Sequence, residues 1–153
     1  MSFFLVSVFF YPVEADFPDT MLETQPLSFG TFAMRDNAAQ YTVTITPAGV
    51  VSYVPPNKIL PFDPLAPTAG IFEFTDFQPD TLLVVGIADT VIISCCGGPN
   101  FDVINFSFTP DPAVTSPGGA LTLRVGATLR TSGSGVMYDD GAYSGSYDLV
   151  VSY

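Results

Sequence analysis

The side chains of this chain that could do chemistry are mainly carboxylates in predicted loops. Asp139 and Asp140 stand side by side before the last strand pattern. Loop carboxylates suit Ca²⁺, although no EF-hand spacing is present. A glycosidase needs two carboxylates facing each other across a cleft, whereas neighbours in an extended chain point to opposite faces. We expect solvated acids, no catalysis, no metal and no cofactor; the other loop acids are Asp63, Asp76, Asp80 and Asp89.

Composition excludes several further classes of function. The chain has no histidine, which removes Ser/His and Cys/His nucleophilic catalysis and His-ligated zinc. Its 15 acidic and 4 basic side chains give a formal net charge of -11. That charge repels nucleic-acid phosphates and anionic lipid surfaces. We therefore expect no nucleic-acid partner and no membrane insertion of the mature domain.

Cys95 and Cys96 are the chain's two cysteines, and they are neighbours in IISCCGGPN. An ordinary disulfide needs Cα atoms at least about 4.4 Å apart, which adjacent residues do not reach. The sequence favours two unlinked thiols, one of them buried and one at a strand end. A cross-link between subunits and a strained vicinal disulfide remain as alternatives.

The elements that must carry these residues are predicted to be strands. Hydrophobic residues make up 48% of the 153 residues, charged residues only 12%, and 13 Gly and 14 Pro are spread along the chain. Such spacing of helix breakers favours strands and turns. QYTVTIT, PAG and VVSY together indicate a hairpin. The five prolines of residues 55–70 predict a loop.

The clearest alternation is ALTLRVGATLR, residues 120–130. It predicts Leu121, Leu123, Val125, Ala127 and Leu129 inside, with Thr122, Arg124, Thr128 and Arg130 outside. We predict an all-β chain, an immunoglobulin-like antiparallel β-sandwich of about eight or nine strands, with jelly-roll order as the alternative. No internal repeat or heptad is apparent.

The closing segment DDGAYSGSYDLVVSY predicts a long strand with one apolar and one polar face. On the apolar face, Gly145 interrupts the row of large side chains, and a neighbouring backbone or a large side chain could approach closely there. The set comprises Tyr143, Gly145, Tyr147, Leu149, Val151 and Tyr153.

The first residues allow two interpretations. An apolar run from Phe3 to Tyr11, then Pro12 and small residues before Asp16, has the pattern of a signal peptide cleaved after Ala15. The same run, retained, alternates as a strand. We divide the chain into residues 1–15, a signal-like segment or retained strand, and residues 16–153, a single domain.

Four segments of the chain carry a family resemblance: PLSFGTF at 26–32, YTVTITPAGVVSY at 41–53, LTLRVGATLR at 121–130 and GAYSGSYDLVVSY at 141–153. They resemble the secreted bacterial domain of unknown function 4402, a family similar to fimbrial subunits and to the spore coat U group. The chain departs from that pattern between residues 54 and 100. The resemblance implies export and a β-sandwich, and it supplies no catalytic residues.

The last strand also resembles the end of pilins assembled by the chaperone-usher route, which implies assembly by strand addition. We therefore expect a non-enzymatic, extracellular or cell-surface filament subunit that forms a homopolymer or joins related subunits, with a secretion chaperone as a further partner. The alternative is a monomeric adhesin or a module that binds carbohydrate or protein, through loops such as 55–70. The predicted assembly residues are Phe4, Val6, Val8, Phe10, Gly141, Tyr143, Gly145, Leu149, Val151 and Tyr153.

Overall fold

The computed structural model describes residues 20–62 and 66–153, and residues 2–9 for their backbone. Every regular element in these ranges is a β-strand, which confirms the all-β prediction. None of the described residues forms a helix that is long and apolar enough to cross a membrane. The strands are β1 (Ser2–Phe9), β2 (Thr20–Gln25), β3 (Thr31–Met34), β4 (Thr42–Ile45), β5 (Val51–Val54), β6 (Ile59–Phe62), β7 (Gly70–Thr75), β8 (Leu82–Ile87), β9 (Thr90–Ile93), β10 (Phe101–Thr109), β11 (Ala113–Val114), β12 (Leu121–Arg130) and β13 (Gly141–Ser152).

These strands form two sheets in a sandwich-like arrangement. The first sheet has the order β11-β8-β13-β1-β3-β6, and the second has the order β2-β7-β12-β10-β9. The long β12 pairs with β10 along one edge and with β7 and then β4 along the other. The predicted hairpin is β4 and β5, which pair from Thr42↔Val54 to Ile45↔Val51.

Alternate residues of both sheets fill the core. In β12, Leu123, Val125, Ala127 and Leu129 are buried as predicted, and Leu121 is half-buried. Thr128 was expected outside, yet it is also buried, because β4 runs beside it and its hydroxyl lies 2.9 Å from that of Thr44.

One segment and the number of strands differ from the sequence prediction. Residues 55–70 contain strand β6, so the prediction of a loop throughout is wrong. Pro61 fits there because β6 lies at the end of its sheet, where a missing N–H is tolerated. Residues 26–30, which begin with Pro26, separate the short strands β2 and β3. Such divisions give more and shorter strands than the predicted eight or nine.

The chain changes sheets between β8 and β9. β8 pairs with β13 in the first sheet, and β9 pairs with the first half of β10 in the second. Directly after β9, Ser94 returns to β13 and forms a bridge with Ser144. One edge of β13 is therefore covered by β8 and the end of β9, which are consecutive in the chain.

Candidate assembly interface

β13 is the strand around which the candidate interface is built. Its inward residues Tyr143, Tyr147, Leu149 and Val151 are buried, and the residues between them alternate to the exposed face. The predicted two-faced strand is confirmed over this length. Tyr153 is 45% exposed, and its ring packs edge-on against Phe77 with the centroids 5.9 Å apart.

The other edge of β13 is occupied by β1. The two strands run parallel in continuous register from Ser2↔Gly141 to Phe9↔Asp148. β3 closes the far side of β1 over a short stretch, pairing with Ser2 and Phe3. We call the position between β13 and β3 the β1 slot. It is filled by backbone pairing along the whole of β1.

The register brings the predicted N-terminal and C-terminal residues together. Phe4 is paired with Tyr143, and Val6 is paired with Gly145. Val8 is paired with Tyr147, an aromatic residue of the same row that was absent from the predicted assembly set. Phe10 lies outside the described residues. Leu149 and Val151 instead pair with Ile87 and Val85 of β8, on the opposite edge of β13.

Two glycines of β13 mark close approaches from the same chain. A Cβ at Gly145 would lie 2.6 Å from Cγ2 of Ile93 and 3.0 Å from the carbonyl oxygen of Ile92. The interruption predicted at Gly145 is therefore occupied by β9. A Cβ at Gly141 would lie 2.8 Å from Sγ of Cys95 and 2.7 Å from Sγ of Cys96.

Cys95 and Cys96 are joined in a vicinal disulfide. The favoured prediction of two unlinked thiols is therefore wrong, and the vicinal alternative holds. The turn that follows β9 permits this because Cys96 and Gly97 both take positive φ, at 51° and 92°. The pair lies against the start of β13, next to the beginning of the β1 slot.

Tyr147 extends from β13 to the opposite sheet. Its hydroxyl lies 3.1 Å from where a Cβ of Gly70 would stand, and its ring contacts Phe72 and Phe106 edge-on and tilted. Among the described residues, neither this hydroxyl nor Oε1 of Glu23 has a hydrogen-bond partner. Burial raises the pKa of Glu23, and burial followed by the nearby Glu23 charge raises the pKa of Tyr147.

A second aromatic group surrounds the start of β13. Phe101 and Tyr138 stack at 3.8 Å, and the Tyr143 ring meets Phe101 edge-on at 5.0 Å. The Tyr143 hydroxyl donates to the carbonyl oxygen of Asp139 at 3.0 Å. Burial raises the pKa of Tyr143, with the Asp139 charge as a smaller cause. Asp139 thus helps to position the strand.

The described loop acids do not converge on a metal site. No group of three or more Asp, Glu, His or Cys side chains among the described residues could hold a metal ion. Asp63, one of the predicted calcium candidates, lies outside those residues.

Sequence reasoning missed two polar clusters that directly follow β3. Asp36 follows β3, accepts a hydrogen bond from the Tyr41 hydroxyl and lies 2.5 Å from Nζ of Lys58. The hydrogen bonds from Lys58 and Tyr41 lower the pKa of Asp36 to about 2. The buried Asn37 amide donates to Val136 O at 2.7 Å and accepts from Gly133 N at 3.0 Å. Both clusters fasten the end of β3, the second wall of the slot.

Fold and interface together define an all-β sandwich whose long last strand is completed by a separate N-terminal strand. The chain belongs to the family described as Domain of unknown function (DUF4402), whose model matches residues 20–153. The resemblance to this family that was stated from the sequence is thereby confirmed. No curated protein and no solved structure matches the chain. The matched range begins with β2, so β1 lies outside it while filling a position inside the sheet.

Proposed function

We propose that the chain is an exported, non-enzymatic structural subunit of a bacterial surface filament, and that its subunits join by β-strand addition. The observation that carries the proposal is the β1 slot. A strand outside the family domain pairs with eight consecutive residues of β13 inside the sheet. A position inside the sheet is therefore filled by a strand from outside the matched range.

An empty slot would be unfavourable for the domain. Without β1, β13 would present a long row of unpaired N–H and C=O groups, and β3 would do the same over its first residues. Exposed strand edges of this kind recruit another strand. The buried tyrosines of β13, Tyr143 and Tyr147, would also lose the neighbour with which they are in register.

The slot can be filled by the same segment of another copy. Pairing in the slot uses main-chain hydrogen bonds, and these are identical for residues 2–9 of any copy of the chain. If each subunit gives its β1 to the next, the contact is head-to-tail, and head-to-tail contacts that do not close produce filaments. Main-chain pairing would supply affinity, and the apolar alternation of the segment would fix the register.

The test is the assembly state of the purified full chain. We expect ladders that resist SDS without heating and filaments in negative-stain micrographs. Val6→Lys places a charge at the register position beside Gly145, and it should abolish the ladder. Val150→Lys changes an exposed residue of β13 and should leave the ladder intact. A ladder unaffected by Val6→Lys would contradict strand exchange through β1.

The proposal also requires that residues 2–9 remain in the exported protein. Intact mass and N-terminal sequencing of the protein recovered from the cell surface measure this directly. A mature chain beginning at Asp16 would remove the strand that the proposal uses.

The second candidate is a monomeric surface module that binds carbohydrate or protein. The observation favouring it is that β1 fills the slot of its own chain, which leaves no strand to exchange. The same size and micrograph measurements separate the two candidates, because this one predicts a monomer at all concentrations.

A further inference from the structure

The sandwich is open between β8 and the latter half of β10, on the side of β13 away from the β1 slot. It is a cleft with a volume of about 550 Å³. Clefts of this size are typical of binding sites in proteins. We call it the β8–β10 cleft; the lining residues used below are Val85, Ile87, Asp89, Asn105, Phe106 and Phe108.

The cleft exists because the chain changes sheets at this point. β9 covers β10 only as far as Thr90↔Ile104, and β10 then has an irregularity between Ile104 and Ser107. Asn105 takes a positive φ of 53° within it. β8 meanwhile pairs with β13 in the first sheet. β8 and the part of β10 that follows Asn105 therefore belong to different sheets, and the cleft lies between them.

This separation leaves two strand edges open towards the same space. β8 pairs through residues 84–87 with β13, while β11 covers its other edge only at Leu82 and Leu83. β10 pairs through residues 107–109 with β12, and no described strand pairs with its other edge beyond Ile104. Alternate N–H and C=O groups of residues 84–87 therefore face the cleft without a strand partner among the described residues.

The floor of the cleft is apolar. Val85 and Ile87 of β8 and Phe106 and Phe108 of β10 are only half-buried although they pack against the core. They occupy the inward positions of their strands, where a covering strand would normally bury them. Phe106 also touches Tyr147, so an occupant of the cleft would rest on the same core as β13.

These features determine the chemistry of the occupant. The N–H and C=O groups along the free edge of β8 have the spacing of a β-strand. An extended polypeptide can therefore hydrogen-bond along this edge and insert every second side chain into the cleft. The free edge of four residues is roughly 13 Å long at the usual rise per residue. Among the described residues that line the cleft, Asp89 is the charged one, and the chain carries a net charge of -11. A cationic residue beside the inserted side chains is therefore favoured and an acidic segment is disfavoured.

We propose that the β8–β10 cleft binds an extended segment of another protein, which adds to the free edge of β8, inserts alternate apolar side chains over Ile87 and Phe106, and places a basic residue near Asp89. The site is separate from the β1 slot, because the two lie on opposite edges of β13. It does not depend on filament formation.

A synthetic peptide tests this on the full-length chain. The probe alternates valine and serine, with a lysine at each end and a dye for fluorescence anisotropy. We expect saturable binding, with hydrogen-exchange protection appearing at residues 84–89 and 105–108. The same peptide with a central proline should bind at least tenfold more weakly, since proline removes a donor from the ladder. A glutamate-ended version should also bind more weakly.

Variants locate the binding site. Ile87→Ala should weaken binding about tenfold, which corresponds to the loss of one well-buried apolar contact. Ile92→Ala is the matched control, because Ile92 is 61% exposed on β9 and does not line the cleft. Asp89→Asn should reduce the preference for lysine ends. Equal binding of the proline peptide, protection elsewhere in the chain, or no binding at millimolar peptide would overturn the proposal.

Discussion

The two edges of β13 are completed in different ways. Along one edge, β8 and Ser94 pair with it in antiparallel fashion and come from the family domain itself. Along the other edge, β1 pairs in parallel and comes from outside that domain. The first edge is fixed by the connectivity of one chain. The second depends on a strand from outside the matched range.

Side chains also fit closely at the β8–β9 edge. At the β8–β9 edge, Ile93 occupies the space beside Gly145 so closely that a methyl group has no room. Along the β1 edge, a parallel main-chain register runs without interruption from Ser2 to Phe9. If β1 is exchanged between subunits as proposed, assembly should respond to changes in β1 and folding to changes at the β8–β9 edge.

The largest effect is expected from the inward face of β13. Leu149→Ala should lower the free energy of unfolding by about 2–5 kcal/mol, because Leu149 is buried and leaves a cavity. Val150→Ala, at the next position and 46% exposed, should change it by less than about 0.5 kcal/mol. Urea unfolding measures both. Equal effects would show that the two faces of β13 are not distinct.

A smaller loss is expected at the fitted edge. Gly145→Ala should cost about 1–3 kcal/mol, because the new methyl group would overlap Ile93. Gly86→Ala is the matched control on the paired strand β8, since the nearest atom to its Cβ, the Val150 carbonyl oxygen, is 3.9 Å away. Urea midpoints compare the two variants. Tolerance of Gly145→Ala would mean that β9 does not hold this edge.

These two predictions rest on patterns that the sequence already reveals. Strict alternation in residues 121–130 and 143–151 predicted the two longest strands, because one face of each is buried by the opposite sheet. Gly145 stood out because it interrupts an otherwise bulky row. The local sequence pattern was therefore sufficient to predict a strand wherever the burial of one of its faces requires apolar residues at alternate positions.

The remaining features depend on contacts distant in sequence. The parallel position of β1 beside β13 cannot be read from either segment alone, and neither can the role of Asn37, whose side-chain partners lie in residues 132–136. The β8–β10 cleft arises where FDVINFSF breaks its alternation at Asn105, a signal that could have been noticed. The cysteine pair was predicted wrongly because the usual spacing rule does not cover vicinal bonds.

Glu23 of β2, whose charge lies near Tyr147, should make the stability of the folded protein depend on pH. Burial raises its pKa above 4.5, so the folded state holds its proton more tightly. Its contribution is complete below about pH 4.5 and is lost as the pH rises through the raised value. Glu23→Gln should therefore gain stability relative to the parent protein between pH 4 and pH 8, measured by urea unfolding at each pH.

Tyr147→Phe is the control for this prediction. It removes the second unpaired buried oxygen without removing a charge that titrates in the same range. The difference in unfolding free energy between Tyr147→Phe and the parent protein should therefore be the same at pH 4 and at pH 8. A Glu23→Gln difference that is equally flat would contradict the burial of the Glu23 carboxyl group.

The smallest effect is expected at β3, the second wall of the β1 slot. The pKa of Asp36 is lowered to about 2 by Lys58 and Tyr41, so its contribution is present above about pH 3.8 and is lost as the pH falls through about 2. Lys58→Met should be slightly less stable than the parent protein at pH 6, and this difference should shrink towards pH 2. Thermal unfolding at the two pH values measures it. A difference independent of pH would exclude the ion pair as its cause.

The central claim is that β13 takes residues 2–9 from a separable strand, and peptide complementation tests it most directly. A chain lacking residues 2–9 is mixed with a synthetic peptide of that sequence, and its unfolding midpoint and sedimentation are followed. We predict a destabilised, aggregation-prone truncated chain that becomes a stable one-to-one complex with the peptide, but not with a scrambled peptide. A truncated chain as stable and as monodisperse as the full chain, with no response to the peptide, would contradict the account.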